Sequence, residues 1–225
     1  MFGLSSLIAL LKLAGAAAMV LTALAPASAN SALPNNKADK PPETMNSAQT
    51  AVFAGGCFWG VDAVFKHVKG VSDVESGYAG GGASRANYEQ VSGGDTMHAE
   101  SVRIRFNPAQ VSYQQLPQVF FSVAHDPTQL NRQGPDVGSQ YRSAFFYTSA
   151  DQQKIASAYI QKITDAHNFS KPVITQVVPL QQFYRAEEHH QNYLALHPNQ
   201  PYIVFNDMPK LAIAQCDGKY IGTSA

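Results

Sequence analysis

A chain of 225 residues is long enough for one sizeable core or at most two small ones. Its 45% hydrophobic and 14% charged content suits a compact domain rather than a disordered tail. Lys plus Arg equals Asp plus Glu, 16 each, so no net field draws in nucleic acid or an acidic surface, and no basic run interleaves with aromatics.

In chain order, residues 4–24 are almost wholly apolar, with Lys12 the only charge, and run into the small-x-small site Ala27-Ser28-Ala29. This reads as a secretory signal peptide, residues 1–29, directing export to the periplasm. The alternative is an uncleaved membrane anchor, because the apolar stretch is nearly long enough to span a bilayer. Residues 30–47 carry Pro34, Pro41 and Pro42 with little to bury, and are expected to form a disordered linker. The folded domain is placed at residues 48–209, followed by a mobile tail over 210–225.

Residues 50–54 predict a short apolar strand ending at Gly55-Gly56. Phe58, Val61, Val64, Phe65 and Val68 then recur at helical spacing up to Gly70. Cys57 thus sits where a strand turns into a helix. A second strand is expected over 71–77 and a flexible loop through Gly77-Tyr78-Ala79-Gly80-Gly81-Gly82. Residues 98–106 alternate, with Glu100, Val102, Ile104 and Phe106 on one face and Ser101, Arg103 and Arg105 on the other. The apolar face must turn inward, which carries the Glu100 carboxylate toward the core.

Ser112 is placed to cap a helix bearing Leu116, Val119, Phe120 and Val123, with Pro117 weakening its start. Residues 125–140 read as a long loop, a kind of segment that often carries function in compact domains. A strand over 144–147 and a helix from the capping box Ser149/Gln152 to about His167 follow. Then come a strand over 173–180 and a helix over 186–196, with no long periodic element beyond. The expected fold is α+β: a single-domain two-layer α/β sandwich with a ferredoxin-like core and a mixed sheet, preceded by the signal peptide and linker. The strand order does not follow from these patterns.

The chemistry concentrates at Cys57. A helix start offers free N–H groups and a partial positive charge, a setting that favours thiolate over thiol. Gly55 and Gly56 allow a sharp turn and leave the sulfur approachable. Phe58 and Trp59, the only Trp in the chain, can wall an apolar slot beside it. Phe58 can equally be ordinary core, whereas Trp59 lies off the stripe of Phe58, Val61, Val64 and Phe65 and fits that reading less well. With Cys216 the only other thiol, a structural disulfide is the plain alternative for an exported chain.

The string Gly55-Gly56-Cys57-Phe58-Trp59-Gly60 resembles the active-site motif of the A class of peptide-methionine sulfoxide reductases. Later blocks are similar in the same order: Gly77-Tyr78-Ala79-Gly80-Gly81, Asn87-Tyr88-Glu89-Gln90-Val91, Gly94-Asp95 and His98-Ala99-Glu100. Phe120, His125-Asp126-Pro127-Thr128, Asn131-Arg132-Gln133-Gly134, Gly138-Ser139-Gln140-Tyr141-Arg142-Ser143 and Ala186-Glu187-Glu188-His189-His190-Gln191 continue the series. The resemblance spans residues 51–209.

It implies reduction of methionine S-sulfoxide, in oxidised proteins or free, with Cys57 as nucleophile passing through a sulfenic acid. It also implies Glu100 as acid, Tyr88 and Tyr141 as phenol donors and Asp136 as an oxygen or water contact. Phe58 and Trp59 would bind the S-methyl group. No metal, nucleotide or other cofactor is implied, since electrons come from thiols or a thioredoxin-like donor. Cys216, in the tail, is either a resolving thiol, or a bystander or intermolecular one. A monomer is expected, with no obligate partner.

Read without the resemblance, Tyr88 and Tyr141 can be half-buried surface aromatics and Asp136 a turn residue. Glu187 and His190, three apart, have the spacing of carboxylate-bridged metal sites but lack partners, and a solvated or packing role is favoured. Two other functions stay open. One is a cysteine hydrolase or acyl transferase using Cys57 with His98, His125, His189 or His190 as base. The other is a non-enzymatic envelope domain held by a Cys57–Cys216 bridge.

Overall fold

The computed structural model describes residues 47–217, with side chains up to residue 214. The expected signal peptide and nearly all of the linker lie outside these residues. β1 (Gln49–Gly55) leads into α1 (Phe58–Lys66) with Cys57 at the N-cap. β2 (Val71–Ala79), the single turn α2 (Tyr88–Val91) and β3 (Ala99–Phe106) follow. α3 (Leu116–Val119) continues into a π-helical turn, Phe120–Ala124. The loop beyond it folds a small hairpin, β4 (Arg132–Gln133) and β5 (Asp136–Val137). β6 (Ser143–Tyr147), α4 (Ala150–Asp165), β7 (Gln176–Pro179) and β8 (Phe183–Arg185) come next. The described chain closes with α5 (Tyr193–Leu196), a second π turn (Ile203–Asp207) and α6 (Met208–Asp217).

One six-stranded sheet runs in the order β7-β6-β1-β3-β2-β8. Its inner four strands, with α1 between β1 and β2 and α3 between β3 and β6, have the ferredoxin-like arrangement. β7 joins the edge in parallel with β6, and every other pairing is antiparallel, so the sheet is mixed as expected. One face packs under the helices. There Phe53 sits among the rings of Phe145, Phe120 and Phe65, at 4.5, 5.3 and 5.7 Å. Burying a ring of this size contributes about 1.5–3 kcal/mol. Val102, Ile104 and Phe106 are completely buried in the same layer. The alternation of β3 thus holds, and Glu100 is carried inward with them, 2% exposed.

The Ser149 hydroxyl accepts the Gln152 N–H as its capping box predicts, and the Gln152 side-chain amide reaches back to the Thr50 carbonyl at 2.8 Å. Three local expectations are corrected. Gly77, Tyr78 and Ala79 are not loop but strand, paired with Arg185, Tyr184 and Phe183 of β8. Ser112 does not cap α3. Its N–H and hydroxyl are held by the Gln115 side chain, and α3 begins at Leu116 with Pro117 in the first turn, where proline's missing N–H has no intrahelical partner to lose.

The helix expected over 186–196 is instead a 3₁₀ turn (Glu188–His190) and α5, separated by Asn192 with φ +54°. The reason is that Gln191 spends its side chain as a mock strand. It accepts the Ser76 N–H and donates to the Ser76 carbonyl, both at 3.0 Å.

The segment beyond residue 197 is helical where the sequence showed no long periodic element. Ile203, Asp207, Leu211 and Ala214 are all buried and lie at helical spacing. The stripe covers the second face of α1, through Ala63 and the Trp59 ring. A wholly buried aspartate within it hides the pattern from a search for apolar periodicity. Asp207 lies against Gly60, where any Cβ would come within 2.2 Å of its Oδ1, and Lys210 pairs with it at 3.0 Å. Gly60→Ala is therefore expected to destabilise the protein by about 1–3 kcal/mol through overpacking, measured by denaturant unfolding. A wild-type midpoint would refute this account of the α1 contact.

Candidate active site

Three elements bring the site together beneath the start of α1. Gly56, at φ +89°, turns the chain from β1 into the helix, and the Gln133 side chain of the β4 loop packs so closely on it that a Cβ would meet it at 2.5 Å. Cys57 is thereby fixed at the floor of a cleft of about 270 Å³, 7% exposed. The Glu100 carboxyl rises from β3 and accepts the Phe58 N–H at 3.0 Å. The Cys57 thiol lines the same cleft beside it.

The donors come from loops pinned to one another. Tyr88 opens α2, whose cap is the Asn87 side chain, and its N–H is held by Glu187 at 2.9 Å. Tyr141 ends a 3₁₀ turn tied to the loop before β3 at four points. Ser139 Oγ donates to the Gly94 carbonyl, Gln140 Nε2 to that of Ser92, and Arg142 to those of Met97 and His98. Asp136 is presented by the β4–β5 hairpin and accepts the Tyr202 hydroxyl. On the opposite wall Trp59 stacks on Tyr193, centroids 3.7 Å apart and planes within 8°, with the Tyr202 ring edge-on at 5.8 Å.

Cys57, Phe58, Trp59, Tyr88, Glu100, Asp136 and Tyr141 thus all line one cleft, together with Gln200 and Tyr202. The last two were missed because they arrive on the C-terminal segment, whose spacing gave no sign that it folds back over α1. Phe58 serves both as core, at 1% exposure, and as cleft wall. Cys216 falls in the last turn of α6, and its side chain is outside the described residues.

Electrostatics correct one expectation. The helix start does not leave Cys57 as a thiolate. Burial, joined by the Glu100 and Asp207 carboxylates, pushes the thiol well above its ordinary range, and the Trp59 backbone N–H is the one contact acting the other way. Burial likewise raises the Glu100 carboxyl to about 8, against the lowering effect of the Phe58 N–H. Near neutral pH Glu100 therefore holds a proton. Tyr88 and Tyr141 are raised by burial and by Glu100, and remain donors. Asp136 is raised by burial, partly offset by the Tyr202 hydrogen bond.

The site can present a neutral thiol, a neutral carboxylic acid and two phenols to a polar atom held over the sulfur. Among the described residues no histidine lines the cleft. His125 binds Ser143 and the Phe120 carbonyl, His98 binds the backbone of Gly81 and Gly82, and His190 binds Trp59. A histidine base for a hydrolase is thus not at hand, and Cys57 is a free thiol rather than half of a bridge. Glu187 is engaged with Tyr78 and Tyr88 rather than poised as a metal ligand.

A family model described as peptide methionine sulfoxide reductase matches residues 49–218. The chain is 51% identical over 168 residues to peptide methionine sulfoxide reductase MsrA 2 of Synechocystis sp., covering 75% of this chain and 78% of that protein. It is 54% identical over 165 residues to peptide methionine sulfoxide reductase MsrA 2 of Mesorhizobium japonicum, covering 73% and 85%. Among solved structures, Mxr1 from Saccharomyces cerevisiae in reduced form superposes with a TM-score of 0.65 at 32% identity, over 75% of this chain and 94% of that one. Methionine sulfoxide reductase A of Corynebacterium diphtheriae gives 0.59 at 31%, over 75% and 85%.

If Glu100 helps to hold the thiol protonated, Glu100→Gln in a Cys216→Ser background should lower the Cys57 titration midpoint, read by ultraviolet thiolate absorbance. An unchanged or higher midpoint would contradict the electrostatic coupling.

Proposed function

The chain belongs to the peptide methionine sulfoxide reductase family, and from that premise we propose that Cys57 attacks the sulfur of methionine S-sulfoxide directly. Glu100 acts as the acid, and Phe58 and Trp59 hold the S-methyl group. The observation that carries this reading is the Glu100 carboxyl, buried, raised by that burial to about 8, bonded to the helix start and lining the same cleft as the thiol. A sulfoxide sulfur is a poor electrophile until its oxygen is protonated or hydrogen-bonded, and a neutral acid beside the nucleophile meets that need.

The proton balance follows from the same contacts. The sulfur–sulfur bond forms as Glu100 gives its proton to the sulfoxide oxygen, with Tyr88 and Tyr141 donating to that oxygen and Asp136 beside it. The thiol proton passes to Glu100. The S–O bond and the new S–S bond then break as the hydroxyl moves to the Cys57 sulfur, the S–S electron pair stays with the methionine sulfur, methionine leaves, and Cys57 is a sulfenic acid. The methionine sulfur gains two electrons and the cysteine sulfur loses them. Cys57 and Glu100 begin and end the step uncharged, which suits a site whose burial raises the pKa of both.

A second thiol attacks the sulfenic acid, releases water and forms a disulfide. Either Cys216 or an external thiol does so, and a thioredoxin-like donor restores the reduced enzyme. Methionine sulfoxide in proteins and the free amino acid are both substrates, since the cleft takes one side chain. The enzyme works as a monomer in the exported compartment, a reading supported by residues 4–24 and the Ala27-Ser28-Ala29 site.

With dithiothreitol, purified enzyme is expected to convert methionine S-sulfoxide and leave the R epimer. Cys57→Ser should abolish turnover, and equal consumption of both epimers would overturn the stereochemical assignment. Glu100→Gln should slow the reaction roughly tenfold to a thousandfold, the range for loss of a general acid. Because Glu100 loses its proton near 8, the wild-type acid function fails as pH rises through that value. A pH–rate profile should show this alkaline fall in wild type and lack it in Glu100→Gln. An identical fall in both would assign it to another group.

A further inference from the structure

His190 is 3% exposed and outside the cleft wall, yet it stands behind three of the cleft's rings. Tyr88, Phe58 and Trp59 lie with centroids 4.4, 5.1 and 5.9 Å from its own. The Trp59 Nε1–H donates to His190 Nδ1 at 3.2 Å. An indole N–H can only donate, so Nδ1 must be the acceptor and the ring proton must sit on Nε2. There it is buried, with no hydrogen-bond partner among the described residues.

A histidine kept in this tautomer with one nitrogen unpaired is poorly explained by packing alone, because a phenyl ring would fill the same space without the orphaned N–H. It is well explained if the acceptor matters. Burial lowers His190 to about 4, so the ring stays neutral and able to accept, with His189 and Glu187 the ionisable neighbours on its own turn.

We infer that His190 is a positioning residue for the methyl-binding wall. Its Nδ1 fixes the rotation of the Trp59 indole, while Tyr193 stacks on that ring from the other side. Stacking alone allows the indole to slide and turn in its own plane. The hydrogen bond removes that freedom and sets which part of the ring meets the S-methyl group. This rests on the reading of Trp59 as a substrate wall.

Trp59 is the only tryptophan in the chain, so intrinsic fluorescence reports on this ring alone. His190→Phe keeps an aromatic ring and removes the acceptor, whereas His190→Asn places a carbonyl oxygen near the former Nδ1. In His190→Phe the emission maximum should shift and quenching by acrylamide should increase. KM for methionine S-sulfoxide should rise roughly threefold to tenfold, the effect of losing one ordinary hydrogen bond, with kcat changed less than about twofold. His190→Asn should restore both spectrum and KM. In a Trp59→Phe background, His190→Phe should add nothing to KM.

Unchanged emission and KM in His190→Phe would overturn the inference. So would failure of His190→Asn to restore them in a protein with wild-type thermal stability. Should His190→Phe not fold, His190→Leu against His190→Asn makes the same comparison. A wild-type KM in Trp59→Phe would instead remove the substrate-wall reading, and the emission of the His190 variants would still decide whether the ring is held by the histidine.

Discussion

The hydrogen bond from the Phe58 N–H to Glu100 ties the start of α1 to an acid buried in the sheet. A helix start on its own stabilises negative charge, and a buried site on its own expels it. Here burial wins. The carboxyl stays protonated near neutral pH, and the neighbouring thiol is pushed the same way. The nucleophile and the acid are consequently kept as a neutral pair in one cleft. Chemistry that moves an oxygen atom between two sulfurs needs proton transfers but no lasting charge, and a neutral thiol beside a neutral acid is suited to it.

Around that pair, the remaining elements supply orientation. Short loop segments hold the tyrosines, and they hold them by side chains bonded to the backbone of other loops: Glu187 to Tyr88, and Ser139, Gln140 and Arg142 to the chain before β3. The tryptophan wall depends on aromatic contacts from α5 and the segment after it. Such a site is rigid only when the whole domain is folded, because no single element carries more than a few of its members.

How much of this could be read beforehand depended on whether a residue's role was written in local spacing. Glu100 was legible because a carboxylate on the apolar face of an alternating strand has nowhere to go but inward, and the structure leaves it 2% exposed. The position of Cys57 between strand and helix was legible for the same reason. Its protonation was not, since a helix start is visible in sequence and the depth of burial around it is not. Tyr88, Tyr141 and Asp136 have no distinguishing pattern and were reached only through resemblance to a family. Gln200 and Tyr202 were out of reach because the stripe that returns their segment to α1 has Asp207 at its centre, and a polar residue there reads as solvent-facing. The broken helix over 186–196 hid for a related reason: Gln191 uses its amide to imitate a neighbouring strand, a tertiary choice that local propensity does not record.

The return of the C-terminal segment over α1 also gives the site an order of assembly. Cys57, Glu100 and the tyrosines belong to parts of the chain made early, and they can find one another as soon as the sheet forms. Gln200, Tyr202 and the buried face of α6 are synthesised after everything else the cleft uses. Until they arrive, the sulfur lacks its outer wall and the nearby Asp207 charge that raises its pKa. The thiol is thus most open to solvent in the unfinished chain, and completion of synthesis is what encloses it.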